Sequence, residues 1–125
     1  MAEFKEFEFD ELEDKYKELI GFAKEALLLS YSPYSKFQVG CAILLNDGKI
    51  IKGANIENAS YPLCLCAERV ALATVISQFP GIKIKAMAIT AKSNIKPVLK
   101  PVSPCGACRQ VICEMEQYLG QNFKI

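Results

Sequence analysis

The placement of cysteines at two predicted helix starts is the feature that most constrains this chain. Cys66 opens a predicted helix that runs to about Phe79, and Cys105 and Cys108 form a Cys-x-x-Cys at the start of another helix, 39 positions later. A fold that uses these thiols together must bring two helix N-termini to one point. The positive ends of the helix dipoles would then lower the cost of holding thiolates there.

The absence of histidine excludes several kinds of site. The 125 residues contain six cysteines and no histidine. A Ser-His-Asp triad, a Cys-His dyad and a zinc site with a histidine ligand therefore cannot be built from this chain alone. The acidic N-terminus lacks the layout of a signal peptide, so we expect a cytoplasmic protein, in which disulfide scaffolds are uncommon. The cysteines then favour metal binding or catalysis.

Chain length and net charge limit the number of domains and the kinds of binding partner that we expect. The chain is of a typical size for one domain, so we predict a single domain over residues 1–125, with residues 1–9 as an N-terminal extension. The net charge is +1 and the basic residues form no stripe, which disfavours nucleic acid as a partner. No apolar run is long enough to span a bilayer, so we expect no membrane partner. A small molecule remains the expected ligand.

Apolar spacing and turn residues predict alternating helices and strands. Residues 10–30 have helical spacing, and two β-prone runs flank a tight turn at residues 46–48. Residues 82–91 read as a buried strand, and a third helix is expected over residues 104–119 with Ser103 as its cap. The last four residues begin what looks like another strand. This order predicts an α/β domain with helices layered on a sheet.

The thiols favour zinc, with open alternatives. Three thiolates from Cys66, Cys105 and Cys108 leave the fourth position of Zn²⁺ free, as in a catalytic site. Cys64 as a fourth ligand would close the site into a structural one, although we favour it as a packed thiol. A redox dithiol of Cys105 and Cys108 has the same spacing, but it does not explain the neighbouring charged residues. We expect Cys41 and Cys113 in the core.

Glu68 and Arg69 follow Cys66 within the first turn of its helix. Helical side chains lean toward the N-terminus, so Glu68 can reach a metal held by Cys66 and exchange protons with a bound water. Arg69 lies on the same helix face as Cys66, where its positive charge could donate to ligand sulfurs. That donation would offset the negative charge of three thiolates. Surface positions for both residues are the plainer alternative.

These motifs together resemble those of a known family. "CAER" and "PCGACRQV" are similar to the two zinc motifs of the small, three-cysteine cytidine deaminases that act on free nucleosides. The resemblance extends through "YSPYSKFQVGCAIL" and "DGKIIKGANIENASYP" and covers about Ala23 to Glu116. It implies a cytidine deaminase-like layered α-β-α domain with a mixed sheet.

The resemblance also implies a reaction. Cytidine and deoxycytidine would be hydrolysed to uridine and deoxyuridine, as in pyrimidine salvage. Cys66, Cys105 and Cys108 would hold one Zn²⁺ per chain, whose hydroxide attacks C4 of the ring, while Glu68 shuttles protons. Such enzymes are usually homotetramers with active sites shared between chains.

Substrate contacts are carried over position by position. The resemblance implies that Phe37 packs against the pyrimidine and that Asn55 and Glu57 hydrogen-bond the ribose hydroxyl. The Ala67 backbone N–H would bind the ring carbonyl oxygen, and the Ser103 carbonyl the amino group. Two further positions, Ala59 and Tyr61, resemble those that reach the substrate of a neighbouring subunit.

The sequence departs from the family pattern at its C-terminal end, and several functions compete. Family members usually continue past the third helix, whereas this sequence ends at Ile125, so we expect the C-terminal strands to be missing here. The competing substrates are an aminonucleoside antibiotic of the blasticidin type and a base in RNA. A structural four-cysteine zinc module and a dithiol oxidoreductase are the competing functions without deaminase chemistry.

Overall fold

Three α-helices and three strands are present in a computed structural model that describes residues 3–125. In chain order they are α1 (Asp14–Ala26), β1 (Phe37–Leu45), β2 (Ile50–Ala54), α2 (Ala67–Gln78), β3 (Ile84–Ser93) and α3 (Gly106–Leu119). The layered α/β architecture that the sequence predicts is therefore confirmed. None of the helices in this part of the chain has the length and apolar character needed for a bilayer span.

The sheet has the order β2-β1-β3, with β1 antiparallel to both neighbours. The turn between β1 and β2 contains Gly48 with φ of 90°, which is the left-handed conformation that a tight hairpin needs. This confirms the predicted hairpin.

Alternation along β1 produces two cores. Cys41, Ile43 and Leu45 face α2 and α3, with which they form the larger cluster of buried side chains. Ala42 and Leu44 point to the other side and pack with α1. Because side chains of a strand alternate between faces, one strand supports helices on both sides. The result is an α-β-α sandwich.

Two sequence predictions within α3 are wrong. The helix begins at Gly106 with Cys105 as its N-cap, so Ser103 does not cap it. The Cys105 sulfur accepts the N–H of Cys108 and so fulfils the capping role itself. Cys113 is exposed and not part of the core, because the buried face of α3 runs through Cys108 and Ile112.

The C-terminal residues run alongside β3. Lys124 forms an isolated parallel bridge with Ala86, and its carbonyl accepts the N–H of Met87 at 2.8 Å. The Gln121 side chain adds two hydrogen bonds of 2.8 Å to the backbone of Ile84. This isolated bridge does not make a fourth strand, so within residues 3–125 the sheet is antiparallel and the mixed sheet expected from the resemblance is not observed.

Gly53 of β2 allows the start of α2 to lie directly on the sheet. A Cβ atom at this position would come within 2.7 Å of both the Ala67 carbonyl oxygen and the Ala71 amide nitrogen. Real Cβ contacts are not that short, so only glycine permits this approach. The close contact fixes the height of the first turn of α2, which carries Cys66 and Glu68.

Candidate active site

Three thiols meet where α2 and α3 begin. Cys66 is the N-cap of α2, Cys105 is the N-cap of α3, and Cys108 lies in the first turn of α3. The sulfurs of Cys66 and Cys105 are 3.7 Å apart, and those of Cys105 and Cys108 are 3.4 Å apart. All three sulfurs lie within 4.8 Å of one another. The two helix N-termini thus converge as the cysteine spacing requires.

The three thiols sit in different surroundings. Cys108 is fully buried, Cys66 is half-buried and Cys105 is exposed. Burial raises the pKa of the Cys108 thiol, and its hydrogen bond to Cys105 and the charge of Glu68 act in the same direction. The backbone N–H of Cys108 donates to the Cys105 sulfur and lowers the pKa of that thiol. The outer thiol therefore ionises more readily than the inner one.

The donor set fits a zinc ion. Sulfurs bound to tetrahedral Zn²⁺ at about 2.3 Å lie about 3.8 Å from one another. The observed separations of 3.7 and 3.4 Å are close to that value. Thiolates are ligands that Zn²⁺ prefers, and three of them leave one coordination position open. Cys66, Cys105 and Cys108 could therefore hold this ion with little movement.

Cys64 does not join the three thiols. Its sulfur accepts the backbone N–H of Asn58 at 3.2 Å and lies 3.6 Å from the Asn58 carbonyl oxygen as a donor. These contacts close the loop between residues 58 and 64. The half-buried Cys64 thiol is therefore engaged with the loop backbone.

Glu68 is a buried carboxylate at the thiol cluster. The side chain belongs to the first turn of α2 and the residue is 5% exposed. The Cys108 thiol donates to Glu68 Oε2 over 3.6 Å. Glu68 has no salt-bridge partner among residues 3–125, and a buried carboxylate of this kind costs free energy, so its presence beside the thiols points to chemistry and not to packing.

Arg69 faces the thiols on the other side. One terminal nitrogen of its guanidinium donates to the Cys66 sulfur at 3.6 Å and to the Cys64 carbonyl oxygen at 3.3 Å. The hydrogen bond to Cys66 raises the pKa of Arg69, against a smaller opposing effect of burial. Its buried Nε has no hydrogen-bond partner among the described residues. The site thus contains an unused donor beside a sulfur that can carry negative charge.

A cavity of about 420 Å³ opens above the thiols. Cys66, Glu68 and Cys105 form part of its wall. Arg69 lines it too, as do five of the seven substrate-binding residues expected from the sequence, namely Phe37, Asn55, Glu57, Tyr61 and Ser103. A hollow of similar volume, about 460 Å³, lies at the C-terminal end of α3 and contains none of these residues.

Ala59 and Ala67 differ from the lining residues. Ala59 is exposed on the loop that follows β2, and Ala67 is fully buried as the first residue of α2. Neither side chain lines the cavity. Only the backbone of Ala67 can contribute to binding, as its predicted role requires.

The side-chain amide of Asn55 already makes three hydrogen bonds within the protein. Its Oδ1 accepts the Val39 N–H at 2.9 Å and the Ser30 hydroxyl at 2.5 Å. Its Nδ2 donates to the Phe37 carbonyl oxygen at 2.9 Å. An amide oxygen has two lone pairs and an amide nitrogen has two N–H groups, so one N–H of Asn55 is left over.

Glu57 organises the turn before β1. Its Oε1 accepts the backbone N–H groups of Tyr34 at 2.9 Å and Ser35 at 3.1 Å, and its Oε2 accepts the Ser35 hydroxyl at 2.5 Å. Burial raises the pKa of Glu57, but the hydrogen bonds from Ser35 and Tyr34 outweigh it, so the net pKa is lowered. The carboxylate is therefore an acceptor at neutral pH.

Sequence reasoning missed Ser30 and Ser35. Both lie in or next to the "SPYSKF" loop, where serine is explained by turn preference alone. Their partners, Asn55 and Glu57, are 25 and 22 positions away. The one sequence signal for these serines was the predicted polar role of Asn55 and Glu57, because buried polar side chains need hydrogen-bond partners.

Comparison with known proteins gives concordant matches. Residues 13–118 match the family model described as the cytidine and deoxycytidylate deaminase zinc-binding region. The cytidine deaminase of Halalkalibacterium halodurans is 50% identical over 97 residues, which cover 78% of this chain and 69% of the relative. The cytidine deaminase of Sporosarcina psychrophila is 48% identical over 99 residues, covering 78% of this chain and 68% of the relative.

A solved structure agrees with these relatives. The crystal structure of cytidine deaminase from Burkholderia pseudomallei superposes with a TM-score of 0.67 at 46% sequence identity. The superposition covers 76% of this chain and 72% of that chain. The likeness thus extends from sequence to fold.

Proposed function

The chain is a hydrolase of the cytidine and deoxycytidylate deaminase family, and from that premise we propose that it deaminates cytidine and deoxycytidine. The products are uridine or deoxyuridine and ammonia. One observation carries the proposal: a buried carboxylate, Glu68, lies against a cluster of three thiols in the wall of an open cavity. This combination supplies a metal site, a proton carrier and space for a small substrate.

Cys66, Cys105 and Cys108 would hold one Zn²⁺ per chain. When bound, the ion supplies Lewis acidity that lets a water molecule act as a nucleophile near neutral pH. Three thiolates weaken that acidity, and Arg69 counters the effect by donating to Cys66. The spare Nε–H of Arg69 is available for the same purpose.

Glu68 carries the protons of the reaction. Deamination adds water across the N3=C4 double bond of the ring, and the C4–amino bond then breaks to release ammonia. Glu68 accepts one proton from the attacking water and delivers it to N3, and it then carries the second from the new hydroxyl to the departing amino group. A carboxylate contributes to such a transfer only within hydrogen-bond reach, which its position in the cavity wall supports.

The cytosine ring is held by Phe37 and by two backbone groups. Phe37 lines the cavity half-buried, so one part of its ring is available to the pyrimidine. Ala67 begins α2, and the first N–H groups of a helix have no partner within it, so its N–H can bind the ring carbonyl oxygen. The Ser103 carbonyl accepts from the amino group, which favours cytosine over uracil.

The sugar hydroxyl is held by the groups that Asn55 and Glu57 have left over. Asn55 retains one N–H donor, and Glu57 Oε2 retains an acceptor lone pair beside its bond from Ser35. A hydroxyl accepts one hydrogen bond and donates another, so it satisfies both groups at once. A substrate that lacks this hydroxyl leaves both unpaired, which discriminates against it.

A second copy of the chain would complete the site, in a homotetramer with shared active sites. Tyr61 lines the cavity and is 75% exposed, and Ala59 is exposed on the same loop. Leu63 and Leu65 nearby are 64% and 46% exposed. Apolar side chains concentrated at a cavity rim favour a protein partner. We also propose a cytoplasmic role in pyrimidine salvage, with no nucleic-acid partner.

The test is turnover of cytidine followed by the change in ultraviolet absorbance. Wild-type protein is expected to produce uridine, and Glu68→Ala is expected to retain zinc while its turnover falls about a thousandfold. Zinc content of both proteins, measured by atomic emission, controls for loss of the site. Equal turnover by both proteins contradicts the role of Glu68, and activity only on a blasticidin-type aminonucleoside contradicts the proposed substrate.

A further inference from the structure

Ser35 links two residues that we assign to substrate binding. Its hydroxyl donates to Glu57 Oε2 at 2.5 Å and accepts the backbone N–H of Phe37 at 3.0 Å. Its own backbone N–H donates to Glu57 Oε1 at 3.1 Å. One serine therefore connects the carboxylate that faces the sugar with the residue that faces the base.

The turn around Ser35 is held in an unusual backbone conformation. Lys36, the next residue, has φ of 57°, in the left-handed region that non-glycine residues seldom adopt. Its N–H donates to the Ser32 carbonyl at 3.1 Å, and its carbonyl accepts the Asn94 N–H at 3.2 Å. Such a conformation persists only where neighbouring contacts impose it. The chain is thus turned so that Ser35 points back to Glu57.

These contacts leave the Glu57 carboxylate with one free acceptor lone pair, on Oε2. The N–H groups of Tyr34 and Ser35 occupy both lone pairs of Oε1, and the Ser35 hydroxyl occupies one of Oε2. Without that hydroxyl, Oε2 has two open lone pairs, and rotation of the carboxylate is less restricted. The hydroxyl therefore sets where the remaining acceptor points.

We propose that Ser35 is a positioning residue for nucleoside recognition: its hydroxyl orients the Glu57 carboxylate toward the ring hydroxyl of the sugar. The proposal rests on the proposed function. Ser35 is exposed, so its hydrogen bonds compete with water and contribute little to the stability of the fold. Removal of the hydroxyl is therefore expected to weaken substrate binding and to leave the stability of the fold nearly unchanged.

The experiment compares cytidine with 2′,3′-dideoxycytidine, which lacks the ring hydroxyls. For Ser35→Ala, we expect KM for cytidine to rise about tenfold, as for one charge-assisted hydrogen bond, with kcat nearly unchanged. KM for the dideoxy substrate is expected to stay at the wild-type value. Ser35→Thr keeps the hydroxyl and should restore cytidine binding. Ser77→Ala, an exposed serine toward the other end of α2, is the matched control.

Two further measurements separate the possible failures. Thermal melting shows whether each variant folds, and Ser35→Cys replaces Ser35→Ala if the latter does not. Ser35→Ala in a Glu57→Gln background should lose no more affinity for uridine, measured by calorimetry, than Glu57→Gln alone. An equal rise in KM for both substrates, or a change confined to kcat, overturns the proposed role of Ser35. Wild-type protein that turns over neither substrate overturns the proposed function instead.

Discussion

Cys64 and Cys66 are separated by a single residue, yet their sulfurs have different partners. The Cys66 sulfur lies 3.7 Å from that of Cys105, whereas the Cys64 sulfur has its hydrogen bonds, within the described part of the chain, with the Asn58 backbone. Leu65 between them pairs with Ile56 in an isolated antiparallel bridge. Cys64 and Cys66 are both half-buried, so the difference lies in the partners of their sulfurs and not in burial. This distinction decides between an open metal site and a closed one.

Zinc content tests the distinction. Cys64→Ser keeps a hydroxyl that can bond to Asn58, so we expect it to bind one zinc per chain, as the wild type does. Cys66→Ser removes a proposed ligand. Loss of a residue that only supports a metal ligand lowers metal affinity by up to about a hundredfold, so Cys66→Ser should lower zinc affinity by at least that factor. The measurement is zinc per chain after dialysis against a competing chelator. Loss of zinc from Cys64→Ser would indicate a four-cysteine site.

Sequence predicts the chemistry of individual residues better than their contacts. Helix periodicity places Glu68 and Arg69 near the thiols, and both side chains contact cysteines. The bonds of Glu57 to Ser35 could not be predicted, because they depend on a turn 22 positions away that folds back onto the loop. The core position expected for Cys113 is wrong, because hydrophobic character alone does not say which helix face meets the sheet.

Among the helices and strands, the start of α2 depends on Gly53. The helix crosses β2 so closely that the Ala67 carbonyl oxygen and the Ala71 nitrogen occupy the space where a side chain would begin. Both neighbours are backbone atoms of a helix, which cannot move separately. A larger residue at Gly53 must therefore shift the whole first turn, including Glu68.

Gly53→Ala is expected to lower the free energy of unfolding by about 2 kcal/mol, through overpacking. It should also reduce turnover, because Glu68 moves relative to the thiols. Gly21→Ala is the control: Gly21 lies inside α1, and a Cβ added there would meet no atom within 4 Å, so the change should stabilise by about 1 kcal/mol. Chemical denaturation measures the free energy of unfolding of both variants, and cytidine turnover measures their activity. A stable, fully active Gly53→Ala protein contradicts the packing argument.

Element positions are predictable where local signals are strong. Asp47 and Gly48 specify the hairpin, and apolar spacing specifies α1, although the helix covers Asp14–Ala26 and not all of residues 10–30. The predicted start of α3 is wrong, because Ser103 and Pro104 carry the usual capping pattern while the Cys105 sulfur performs the capping. A cysteine that caps a helix has no distinct signature in sequence.

In the molecule as a whole, the sheet brings the two halves of the site together. Cys66 follows the β1–β2 hairpin and Cys105 follows β3, and both helices pack on the same face of the sheet. The thiol cluster therefore forms only when the hairpin, β3 and both helices are in place. The sequence indicates this convergence through cysteine spacing, but the depth of the cavity and its rim depend on the tertiary packing.

The number of sulfur atoms around a bound zinc ion decides whether the site is open or closed. X-ray absorption at the zinc edge of the loaded wild-type protein is expected to show three sulfur ligands at about 2.3 Å and one oxygen ligand at about 2.0 Å. That result requires Cys66, Cys105 and Cys108 to bind while one position stays open to solvent. Four sulfur ligands would contradict the open site, as would a protein that binds no zinc and oxidises two of these thiols to a disulfide.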